Sequence, residues 1–133
     1  MSTASLRRDH ELIEKVIKAM ESTIQLLNDN KQIPESILLP VIDFSKNFTD
    51  VCHHSKEEKS LFPALEKAGL PTNMGPIAMM LIDHQRSREI GTQMEESAKE
   101  YLSSGDSTKL ISDMQEYTEH ITEHLWKENN KLF

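Results

Sequence analysis

Residues 53–62 read His-His-Ser-Lys-Glu-Glu-Lys-Ser-Leu-Phe and residues 124–133 read His-Leu-Trp-Lys-Glu-Asn-Asn-Lys-Leu-Phe, so the pattern H-x-x-K-E-x-x-x-L-F occurs twice without a gap. In each copy the first histidine and the glutamate stand four residues apart. On a helix that spacing sets an imidazole and a carboxylate on one face, one turn from each other, where both can hold a metal. A further histidine precedes each copy at a similar distance: His10 in Asp-His-Glu-Leu-Ile and His84 in Asp-His-Gln-Arg-Ser. The chain therefore carries the order H…HxxxE…H…HxxxE.

Outward from these residues the apolar positions advance by threes and fours. Leu6, His10, Ile13, Ile17, Met20, Ile24 and Leu27 form one stripe that turns His10 inward. After Asn28-Asp29-Asn30, Pro34 opens a second helix whose most apolar stripe is Ile37, Val41, Phe44, Phe48 and Val51. A second line on the same helix runs through Leu38, Ile42, Ser45, Thr49, His53, Glu57 and Leu61. Pro40 falls early enough to be tolerated, and Pro63 is expected to kink or close the helix. Gly69, Pro71, Thr72, Asn73, Gly75 and Pro76 form the one dense breaker cluster and divide the chain into halves. The third helix carries Ile77, Met80, Leu81, His84, Gly91, Met94 and Ala98 inward, with Gly91 expected to let a neighbouring helix approach. Beyond Ser103-Ser104-Gly105, with Asp106 or Ser107 as cap, the fourth shows Leu110, Met114, Tyr117, Ile121, His124, Glu128 and Leu132.

The periodicity predicts helices over about 4–29, 35–67, 76–103 and 107–132. An all-α fold follows, an up-down-up-down antiparallel four-helix bundle built as a pseudo-twofold repeat of helix hairpins. In it His10 and His53 come level with each other, and so do His84 and His124.

A chain of 133 residues suits a single domain spanning 1–133. Its formal charge of −7, with no basic cluster beyond Arg7-Arg8, argues against nucleic-acid and anionic-membrane partners. No apolar run approaches a membrane span, the amino terminus lacks a signal-peptide core, and one cysteine cannot form an internal disulfide, so a reducing cytoplasm is expected. The seven methionines read as core filling.

Four imidazoles and two carboxylates inside a bundle are costly to bury unless something satisfies them. Two metal ions do so: each carboxylate can bridge both while each ion takes two histidines. The mixed nitrogen and oxygen set suits iron first, with manganese or zinc as alternatives. In the first copy His53 with Glu57 competes with His54 with Glu58. Apolar phase leans to the second pair. The repeat register favours the first, because Leu125 and Asn129 stand where His54 and Glu58 would be matched. The expected ligands are thus His10, His53, Glu57, His84, His124 and Glu128, with His54, Glu58, Tyr117 and His120 as candidates around them. His120 lies in phase with Asp113 and Glu116 and is expected to be solvated. Cys52 reads as a small buried apolar residue, and Trp126 as a cover on the bundle exterior or a subunit contact.

Through His10, HHSKEEKSLFP, His84 and HLWKENNKLF, the chain resembles hemerythrin-like proteins, the HHE cation-binding domains, over essentially its whole length. The resemblance implies a non-haem diiron centre with a bridging oxo or hydroxo group, with His10, His53, His84 and His124 as terminal ligands and Glu57 and Glu128 as bridges. It also implies binding of, or reaction with, a small oxidant: dioxygen, hydrogen peroxide or nitric oxide. A redox partner and a monomeric or homodimeric state fit the same reading. The alternatives are an iron- or oxygen-sensing or iron-handling module without turnover, and a zinc-stabilised structural bundle. Oxygen carriers of the family have a fifth histidine one turn after the helix-three ligand, where this chain has Arg88, so an open coordination position is expected, with Tyr117 placed to fill or shield it.

Overall fold

The computed structural model describes residues 4–54, 56–70, 75–128 and 130, without the side chains of residues 4–6, 49–52 and 76. Expectations for Leu6, Thr49, Val51, Cys52, Pro71 to Asn73, Asn129 and Leu132 lie outside the described residues or side chains. The helical segments are α1 (Ala4–Asn28), α2 (Glu35–Phe44), two π-helical stretches (Ser45–His54 and Glu57–Leu61), α3 (Phe62–Lys67), α4 (Gly75–Ser104) and α5 (Thr108–Lys127). The described residues contain no strand, and the fold is all-α.

The helix ends follow local chemistry. After α1, Asn30 takes a left-handed φ of 61° while the Asn30 and Lys31 amides donate to the carbonyls of Leu27 and Leu26 at 3.1 and 2.9 Å. Asparagine tolerates that conformation, and the two bonds satisfy carbonyls that the helix leaves open. Pro34 caps α2, and its carbonyl accepts from Ile37 and Leu38 at 3.0 Å each. Ahead of α5 the Asp106 carboxylate accepts the Thr108 amide at 3.0 Å. The helical run does not close at Pro63: α3 begins at Phe62, directly after the second π-helical stretch ends at Leu61, and continues to Lys67.

Between Glu35 and Lys67 the structure departs from one regular α-helix. Ile37, placed by sequence on the inward stripe, is 53 % exposed, whereas Leu38, Ile42, Ser45, His53, Glu57 and Leu61 are all buried. In an α-helix a line of fours drifts by about 40° per step, which would carry Glu57 and Leu61 off the core face. The π turns hold more residues each and cancel that drift. They also let the consecutive His53 and His54 flank the inward direction, so both are fully buried.

Two apolar clusters form the core. One joins Ile13, Ile17, Met20, Ile24 and Leu27 of α1 to Leu38 and Ile42, to Ile90 and Met94 of α4, and to Leu110, Met114 and Ile121 of α5. The other holds Leu61, Phe62, Ile77 and Met80. Along the chain three of the buried histidines lie between them: His53 and His54 between Ile42 and Leu61, His84 between Met80 and Ile90. α5 packs on both α1 and α4, and the first π stretch packs on α4. Trp126 is 57 % exposed on the exterior.

Candidate metal centre

His10 from α1, His53, His54 and Glu57 from the π-helical region, His84 from α4, and His124 and Glu128 at the end of α5 are all at most 2 % exposed. Their ligand atoms form two groups, one of His10, His53 and Glu128 and the other of His54, Glu57, His84 and His124. All six expected ligands are brought together. His54, expected around them, stands among them.

The spacings have the scale of a coordination shell. Ligand atoms about 2.1 Å from one ion are about 3.0–3.4 Å from each other in octahedral or tetrahedral geometry. His10 Nε2 lies 2.9 Å from His53 Nε2 and 2.9 Å from Glu128 Oε1. His53 Nε2 lies 3.2 Å and His84 Nε2 3.4 Å from the same oxygen, Glu57 Oε1. His124 Nε2 lies 3.4 Å from Glu128 Oε2. Glu128 thus turns one oxygen to each histidine group, and Glu57 Oε1 stands between the groups. Among the described residues, neither carboxylate has a hydrogen-bond donor in acceptable geometry on either oxygen. Two buried carboxylates so placed are satisfied by a cation.

On their outer nitrogens the histidines meet carboxylates, of which the sequence placed Glu58 around the ligands and sequence reasoning missed Asp9 and Asp83. His53 Nδ1 faces Asp9 Oδ2 at 3.2 Å, and Lys56 Nζ reaches the same oxygen at 2.9 Å. His124 Nδ1 faces Asp83 Oδ2 at 3.1 Å, with Lys127 Nζ 3.4 Å from that oxygen. A third set is looser: His84 Nδ1 lies 3.5 Å from Glu58 Oε2, which takes Arg88 at 2.5 Å. A carboxylate accepting the Nδ1 proton fixes the tautomer that turns Nε2 inward. The signal was present, since Asp precedes His in both Asp9-His10 and Asp83-His84 and lysine recurs in both copies of H-x-x-K-E.

Electrostatics favour the ligand forms. Burial, then the charges of His124 and Arg88, depress His84 to about 2, and burial followed by His84 and His124 pushes His54 well below the ordinary imidazole value. Burial lowers His124 as well, against the opposing Asp83 hydrogen bond. Burial works to raise Asp9, but hydrogen bonds from Lys56 and His53 outweigh it; at Asp83 the His124 bond does the same. Neutral imidazoles and charged carboxylates are the states a divalent ion takes up.

The remaining expected residues divide. Arg88 turns to Glu58, and Glu58 sits beside His84. His120 is half-buried with Nε2 3.0 Å from the Asp83 carbonyl. Tyr117 is buried and its hydroxyl donates to the Ser45 carbonyl at 3.0 Å, tying α5 to the start of the π-helical stretch.

A family model described as the hemerythrin HHE cation binding domain matches residues 1–133. No curated protein and no solved structure matches the chain. With the match spanning the full sequence and a buried histidine and glutamate cluster able to hold metal, the chain belongs to the hemerythrin HHE cation-binding domain family.

Proposed function

We propose that the protein binds a pair of iron ions in an up-down-up-down four-helix bundle of pseudo-twofold design, as one domain over residues 1–133, and that it reacts with a small oxidant in the cytoplasm. The observation that carries this reading is Glu128, whose two oxygens face two different histidine groups, at 2.9 Å from His10 and 3.4 Å from His124. Bound iron would supply one-electron redox chemistry and a Lewis-acidic position for the oxidant.

The residues divide the work. His10 and His53 would hold one ion, and His54, His84 and His124 the other. Glu57 and Glu128 would span both. In this arrangement His54, arriving from the π-helical stretch, takes the place that a fifth histidine after His84 would otherwise fill. Asp9 and Asp83 keep the Nδ1 protons of His53 and His124 and so leave Nε2 free for metal. The burial of these histidine and glutamate side chains limits water at the site.

Metal analysis after anaerobic iron loading tests the reading. Two ions per chain, with two resolved Mössbauer environments, are expected. Saturation at one ion with all seven side chains intact overturns it.

A further inference from the structure

Between α4 and the first π-helical stretch, a pocket of about 150 Å³ reaches inward to His54. Its lining grades from exposed Thr92 and half-buried Lys46 to Ser45, Ser87, Tyr117 and His54, each no more than 4 % exposed. Gly91 forms part of the wall. A Cβ there would meet nothing within 4 Å, so this glycine borders open space and does not serve the close helix approach expected of it.

The hydroxyls of the lining are one-sided. Ser45 Oγ donates to the Val41 carbonyl at 2.9 Å, and Ser87 Oγ, Thr92 Oγ1 and the Tyr117 hydroxyl donate to the carbonyls of Asp83, Arg88 and Ser45 at 3.0 Å each. A hydroxyl has one proton, and those of Ser45, Ser87 and Thr92 are committed to the backbone, so lone pairs are what these three offer a guest. Lys46 is held by Glu95 at 2.8 Å and Arg88 by Glu58 at 2.5 Å, so each cation is already matched to a carboxylate and exerts little pull on an anion. A fitting guest is small and brings its own hydrogen-bond protons. Dioxygen, nitric oxide and azide bring none. Hydrogen peroxide brings two.

We propose that this pocket is the route by which hydrogen peroxide reaches the metal pair, with Gly91 keeping it open and Ser87 and Thr92 accepting the peroxide protons. The proposal rests on the dimetal reading and names the oxidant for that site.

The test mixes the anaerobic, iron(II)-loaded full chain with hydrogen peroxide and follows iron oxidation optically. One O–O bond breaks, each iron gives one electron, and two protons from solvent complete two waters. Native protein is compared with Gly91→Leu and with the double variant Ser87→Ala/Thr92→Val, with metal content and helicity measured on every sample. Gly91→Leu should slow the peroxide reaction on the order of tenfold or more, as expected when a side chain fills a pocket. It should also lower solvent-proton relaxation by the manganese(II)-loaded chain, a readout of access independent of reaction. The double variant should slow peroxide while leaving oxidation by dioxygen at the native rate. Native peroxide rates and relaxation in Gly91→Leu, at full metal content, overturn the route. Equal slowing of peroxide and dioxygen in the double variant overturns peroxide as the selected guest. A native chain that fails to hold two ions instead overturns the dimetal reading.

Discussion

Asp9 and Asp83 hold the outer nitrogens of His53 and His124, each with a lysine on the same carboxylate oxygen, so their loss should be read first in the metal. Asp9→Asn and Asp83→Asn are each expected to lower metal affinity by about 10- to 100-fold, the range for carboxylates behind ligating histidines, with helicity retained. Competition against a chelator of known affinity measures this, and unchanged affinity in both variants would remove these carboxylates from the design. His54 gives the sharper contrast with the sequence reading. Repeat register alone predicts that His54→Ala spares the site, but its burial beside His84, with ring centroids 3.8 Å apart, predicts loss of one of two ions. Restoration of that ion in His54→Ala by added imidazole, and its absence in His54→Phe, would separate ligation from packing. Full metal content in His54→Phe would refute ligation.

At the scale of the element, the π-helical stretch Ser45–His54 converts a drifting line of fours into a ligand-bearing face. Deleting exposed Asn47 shortens the stretch by one residue and should rotate His53 and His54 by roughly 80–100° relative to α2. The expected result is a helical protein by circular dichroism with its metal content largely lost. Full loading would show that the wide turns are incidental. Tyr117 secures the same stretch through a hydrogen bond from its hydroxyl to the Ser45 carbonyl. Removing the hydroxyl in Tyr117→Phe leaves that buried bond unmade, at a cost of about 1–3 kcal/mol in denaturant unfolding with both ions still bound.

For the whole molecule, burying a cluster of neutral imidazoles ties metal-free stability to pH. His54, His84 and His124 all have folded-state values below the ordinary 6.5, so below about that pH the unfolded chain binds more protons than the folded one. Their contribution is full above 6.5 and is lost as pH falls below it, with a slope approaching about 1.4 kcal/mol per pH unit for each histidine. Asp9 and Asp83, also lowered, add loss of the same sign at lower pH. Chemical denaturation of the metal-free chain at pH 7.5 and at pH 5 checks this, and equal stability at the two would contradict it.

The sequence by itself determined that the chain is helical, which side chains face inward on α1 and α5, and that His10, His53, Glu57, His84, His124 and Glu128 belong to one repeated pattern. Periodicity and repetition are local properties, and a stripe such as Leu110, Met114, Tyr117, Ile121 and His124 reads the same before and after folding. Only the tertiary structure decided the face of the second helical region, because its most apolar stripe was not its buried one. Ile37 is left in solvent, while π turns sustained by contacts with α4 and α5 bring Ser45, His53, His54 and Glu57 inside. A change in residues per turn leaves no mark in a count made at a fixed α-helical angle. The same holds for Asp9 with His53, Asp83 with His124 and the space beside Gly91, since each depends on what a second helix brings to the first.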